Sequence, residues 1–116
     1  MANDSAVLSL ISTIKRELLP FKQEATKPFF KAFDNGQYNR ALRIACTSNT
    51  QAATSIVSVL IRYIDPLGLN PNESAGNPLR NAFDLAEEKN RHIYTLLSRV
   101  WSDDRKNIVA VKMPKP

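Results

Sequence analysis

Apolar residues at Val7, Ile11, Ile14 and Leu18 step by three or four along the first part of the chain, with Leu8, Leu10 and Phe21 beside them. That spacing places them on one face of a helix, and Lys15, Arg16 and Glu17 keep another face polar. Asp4 or Ser5 can cap this helix near Ala6, and Pro20 stops or bends it. A second helix is predicted from Thr26 and Pro28, with Phe29, Phe30, Ala32 and Phe33 as its apolar content and Asn35-Gly36 at its end. In YNRALRIACT, residues Leu42, Ala45 and Cys46 share a face, and the polar run TSNT (47–50) interrupts the pattern. QAATSIVSVLIRYID then carries Ala52, Ala53, Ile56, Val57, Leu60, Ile61 and Ile64. Its β-branched content would suit a strand, but its length and 3.6 period predict one long helix, closed by Asp65-Pro66.

Residues 68–79, GLNPNESAGNPL, break the helical texture with two glycines, two prolines and three asparagines. A linker or a turn that recurs between structural units would each use such residues. Beyond it, Asn77 is placed as a cap and Pro78 as the first residue of a helix running to Asn90, a left-handed terminator. RHIYTLLSRVW supplies a last helix through Ile93, Leu96, Leu97 and Val100. The remaining tail, with NIVAVKMPKP, reads as a short strand or as disorder, its final Pro and Lys content favouring disorder. The pattern as a whole predicts an all-α fold in a single domain.

Shifting the sequence by 37 residues lays ALRIACTSNTQAATSIVSVLIR (41–62) over PLRNAFDLAEEKNRHIYTLLSR (78–99) without a gap, with six identities in 22 positions. Leu42 meets Leu79, Arg43 meets Arg80, Ile56 meets Ile93 and Leu60 meets Leu97. Two helix pairs on one plan are the economical reading, and such a period signals a stacked array.

The motifs then resemble a known family. GLNPN (68–72) is similar to the G-A-D-P-N that closes an ankyrin repeat, and SAGNPL (74–79) to the G-x-T-P-L that opens the next. ALRIAC (41–46) is similar to P-L-H-x-A-A, and FDLAEEKNRHIYTLL (83–97) to L-D-L-A-x-x-x-G-x-x-x-I-x-x-L-L. The period of 37 exceeds the family's ~33, and Arg43 and Arg80 replace its histidine. The resemblance implies a short array of ankyrin-like helix pairs: an N-terminal helical cap (6–35), a first unit (38–76), a second unit (77–101) and a tail (102–116). It also implies a hairpin-like turn at 68–79. A rival resemblance joins GQYNRALRIA (36–45) to the G-x-Y-x-x-A-L-x-x-A of tetratricopeptide repeats, whose loops are short throughout.

Ankyrin-type arrays bind partner proteins through turn tips and inner helices. The resemblance therefore implies a non-enzymatic interaction module whose contacts are Arg43, Thr47, Asn72, Glu73, Ser74, Asn77, Arg80 and Asp84. Two arginines one repeat apart could clamp an acidic partner, since guanidinium pairs well with carboxylate. Only two units leave an apolar end open to self-association as a homodimer. By analogy of fold, degenerate modules of this size occur among secreted effectors of intracellular bacteria, which act inside a host cell.

Charge offers a competing function. The net charge is +5 at pH 7 with a pI near 9.6. Lys15, Arg16, Lys22, Lys27 and Lys31 lie near one end, and Arg105, Lys106, Lys112 and Lys115 near the other. A small basic adaptor could bind nucleic acid or an anionic surface through residues 15–31 and the C-terminal tail. The split between two ends argues against one concentrated nucleic-acid face.

Catalytic chemistry is thinly represented. His92 is the one histidine. Asp84, Glu88 and His92 fall at i, i+4 and i+8, but Asn90 interrupts the helix they would share. Cys46 reads as a buried structural thiol. GLNPNESAG lacks the lysine and the Ser/Thr of a phosphate-binding loop. No catalytic residue, cofactor or metal is expected. A lone cysteine suits a reducing compartment. No stretch approaches the ~18 apolar residues of a membrane span, and MANDSAVLSLISTIKREL lacks a secretory leader's features, so the cytoplasm is the expected location.

Overall fold

A computed structural model describes residues 2–76 and 79–101. These are helical, with α1 over Ala2–Leu18, α2 over Lys27–Asp34, α3 over Tyr38–Cys46 and α4 over Gln51–Leu60. A short α5 (Ile64–Leu67) follows, then α6 (Ala82–Lys89) and α7 (Arg91–Val100). Single 3₁₀ turns at Leu19–Phe21, Glu24–Thr26 and Ile61–Tyr63 join neighbouring elements. Among the described residues there is no strand, only an isolated antiparallel bridge between Ala75 and Arg80.

The helices pack as two rows. α3 lies against both α2 and α6, while α4 lies against both α1 and α7. The α3–α4 and α6–α7 contacts tie the rows together. Between them sits one core, in which Ile14, Leu18, Phe29, Phe33, Leu42, Ile56, Leu60, Phe83, Ile93 and Leu97 are fully buried. Each such side chain contributes roughly 1.5–3 kcal/mol through the water it leaves, which drives the rows together. No helix among the described residues is long and apolar enough to cross a membrane.

Several helix ends differ from the pattern reading. α1 begins at Ala2 rather than near Ala6, so Asp4 and Ser5 lie inside the helix instead of capping it. The long helix after Thr50 breaks at Leu60 into a 3₁₀ turn and then α5, which contains Asp65 and Pro66. Proline is tolerated there because first-turn amides have no intrahelical partner. Gly68 ends α5 in the left-handed conformation, φ 64°. A side chain would find that conformation strained.

The helix anticipated from Pro78 starts four residues later, at Ala82. Asn81 and Asp84 form a reciprocal capping box. Asn81 Oδ1 accepts from the Asp84 amide at 2.8 Å, and Asp84 Oδ2 accepts from the Asn81 amide at 2.9 Å. Two donors are thus satisfied at once, which fixes the start here. The anticipated cap, Asn77, lies outside the described residues, as does Pro78. Asn90 is not left-handed either. It is extended, φ −152°, and caps α7 by accepting from the Ile93 amide at 3.2 Å.

These shifts change how the two helix pairs correspond. At a shift of 37, Leu42 (1% exposed) would match Leu79 (72% exposed), so the gap-free overlay fails in the first helix. Burial instead matches Ala41, Leu42, Arg43, Ile44 and Ala45 with Ala82, Phe83, Asp84, Leu85 and Ala86: buried, buried, half-buried, half-buried, buried in each case. The second helices align through their caps, Thr50 and Asn90. The Thr50 Oγ1 accepts from the Ala53 amide at 3.1 Å, as Asn90 does from Ile93. The turn between α3 and α4 is longer than the one between α6 and α7, and a single shift cannot span both.

Candidate interaction groove

One face of α3 is closed and the other open. Ala41, Leu42, Ala45 and Cys46 point into the core. Arg40, Arg43, Ile44 and Thr47 lie on the open side and form one wall of a groove of about 700 Å³. The opposite wall is Ala75, Gly76 and Arg80 from the turn before α6, with Leu85 from α6 itself. A smaller depression of about 320 Å³ adjoins it toward α2, sharing Arg40 and Ile44 and adding Lys31.

The turn that makes the second wall is held at many points. Asn39 on α3 accepts from the Asn70 amide at 2.7 Å and donates to the Gly68 carbonyl at 3.2 Å. Arg43 donates to the Glu73 carbonyl at 3.5 Å. Asn70 Oδ1 accepts from the Asn72 amide at 3.0 Å, a local turn of the kind asparagine favours. Ala75 and Arg80 exchange two backbone hydrogen bonds of 3.0 Å, and the Ala82 amide donates to the Pro71 carbonyl at 3.0 Å. Leu67, Leu69 and Pro71 are buried beneath. A plain linker would lack these ties.

Of the residues expected to touch a partner, Arg43, Thr47 and Arg80 meet in this groove. Arg43 and Arg80 are not equivalent helix positions, however. Arg43 lies on α3, whereas Arg80 lies in the turn before the α6 cap and forms an ion pair with Glu88. Asp84 is committed to the capping box and is not among the groove's lining residues. Glu73 and Ser74 are exposed in the turn and Asn72 is half-buried there. Asn77 lies outside the described residues. The pattern reading missed Arg40, Ile44 and Leu85. Arg40 and Ile44 carried a signal, standing three residues before and one after Arg43 on the same helix face.

The other candidate surfaces are less focused. Lys15 pairs with Asp34 at 3.6 Å and Lys27 with Glu24 at 2.9 Å. Lys22 lies 5.7 Å from the centre of the Phe30 ring. Lys22, Lys27 and Lys31 rim a depression of about 570 Å³ that Asp34 also lines. The basic tail lies outside the described residues. His92 is exposed on α7, separated from Glu88 by the extended Asn90. Cys46 is fully buried, and burial pushes its thiol pKa far above the usual range. Among the described residues, no three His, Cys, Asp or Glu side chains gather as metal ligands would.

No protein-family model matches this chain, no curated protein matches it, and no solved structure matches it. The likeness to ankyrin repeats rests on the quoted motifs alone.

Proposed function

We propose that this chain is a non-enzymatic protein-interaction module of ankyrin-like type, receiving a partner protein along the open face of the α2–α3–α6 row. The single observation that carries this reading is the groove. An inner helix with a polar, arginine-bearing outer face stands opposite a hydrogen-bonded turn, and Ile44 and Leu85 line the cleft between them. Arrays of helix pairs bind through such surfaces because their two rows bury one face and leave the other as a continuous platform. The long turn closed by the Ala75–Arg80 bridge supports the ankyrin-like reading over the tetratricopeptide one, whose connections are short.

The test is site-specific photo-crosslinking of the full chain in cell extract. A crosslinker at Thr47, in the groove, is expected to trap a discrete partner, whereas one at Ser58, exposed on the opposite row, is not. Equal trapping from both positions would remove the groove from the account.

A further inference from the structure

The groove's chemistry also specifies the class of segment that fits it. We propose that its occupant is an extended acidic segment of a partner protein, with one bulky apolar side chain seated on Ile44 and Leu85 and flanking carboxylates on Arg40 and Arg43. This rests on the interaction-module reading above and narrows it.

The charge pattern is one-sided. The groove and its adjoining depression are lined by Lys31, Arg40, Arg43 and Arg80, with no acidic residue among the lining side chains. Arg80 is already paired with Glu88. No carboxylate among the described residues forms an ion pair with Arg40 or Arg43. Among those residues Arg43 donates only to the Glu73 carbonyl, so both guanidiniums keep their charge without a carboxylate partner, three residues apart on one helix face. Guanidinium binds carboxylate bidentately, and a half-covered groove strengthens that attraction relative to open water.

The apolar part is equally specific. Ile44 lies beside Arg43 and one turn beyond Arg40, half-buried, and it lines both depressions. Leu85 faces it across the cleft and is half-buried too. A ligand side chain placed there covers apolar surface that the fold leaves partly open. Helix axes in a packed row stand ~10 Å apart, so crossing α2, α3 and α6 takes roughly 20 Å, or about six extended residues at ~3.3 Å each. Nucleic acid is the other polyanion such charges could attract. The cleft, however, has no aromatic residue in its lining to stack a base.

A displayed library of random peptides about a dozen residues long, selected against the full chain, tests this. Expected winners carry at least two Asp or Glu beside one Leu, Ile, Met or Phe. Their affinity should fall roughly tenfold or more in Arg40→Gln/Arg43→Gln and weaken steeply with added salt. Ile44→Ala should weaken the same peptides without changing their salt dependence. Circular dichroism confirms that each variant is folded. Neutral or basic winners that are blocked by Thr47→Trp would overturn the acidic class while leaving the module reading intact. Winners indifferent to all these substitutions, or no winners, would overturn both. Labelled oligothymidylate that displaces the acidic peptides at lower concentration would overturn the proposal in favour of nucleic acid.

Discussion

Asn90 shows how much a single side chain can fix. Besides capping α7, its Nδ2 donates to the Ser48 carbonyl at 3.0 Å and to Thr54 Oγ1 at 3.2 Å. It therefore fastens α7 to the turn between α3 and α4. Asn90→Ala should cost about 2–4 kcal/mol in urea unfolding, one part from the lost cap and the rest from a Ser48 carbonyl left unsatisfied. Thr50→Ala, which loses mainly a cap, should cost about 1 kcal/mol. Cys46 gives a second residue-scale prediction. Its buried, protonated thiol should react with a thiol reagent only as fast as the protein opens, and added urea should accelerate it in step with unfolding. Fast labelling of the native protein would place Cys46 elsewhere. Tyr63 gives a third. Its hydroxyl donates to the Glu17 carboxylate, which also pairs with Arg62 at 2.5 Å, and that hydrogen bond raises the Tyr63 pKa. A raised acid pKa means the bond stabilises the fold below the ordinary tyrosine value of ~10 and is lost as pH climbs through the folded value. The stability difference between wild type and Tyr63→Phe should therefore persist at neutral pH and vanish in strong alkali. A difference that stays constant across that range would show the pair to be idle.

At the scale of elements, the positions of the helices were legible and their ends were not. Spacing of apolar residues locates α1 to α4 and α7, because a three-to-four step is a direct image of a buried face, while α6 was placed by its boundary residues. Ends are settled by hydrogen bonds that apolar spacing does not reveal. Asn77, Asn81 and Asn90 all look like boundary residues in sequence. Asn81 starts α6 because Asp84 stands three residues on and returns the bond. Asn90 starts α7 because Ser48 and Thr54, far away in sequence, hold it. The groove was partly legible. Arg43 and Thr47 were named through the ankyrin resemblance, but Leu85 joins them only through the packing of α6 on α3. The turn carries its own prediction. A Cβ at Gly68 would meet nothing within 4 Å, so Gly68→Ala tests the positive φ alone. It should cost about 1 kcal/mol with no change in groove binding. A neutral effect would mean the turn does not need that conformation.

For the whole molecule, the core lies between the two rows of helices and draws on both, while the groove proposed as the binding surface opens on the outer side of the α2–α3–α6 row. That separation makes the groove tolerant of change, since Arg40, Arg43 and Thr47 sit outside the core. Substitutions there should alter binding while thermal stability stays nearly constant. The most direct measurement is amide hydrogen exchange of the full chain alone and bound to the partner trapped at Thr47. Added protection is expected along residues 40–47 of α3, in the turn at 70–76 and around Leu85. Protection confined instead to α4 and α7 would contradict it.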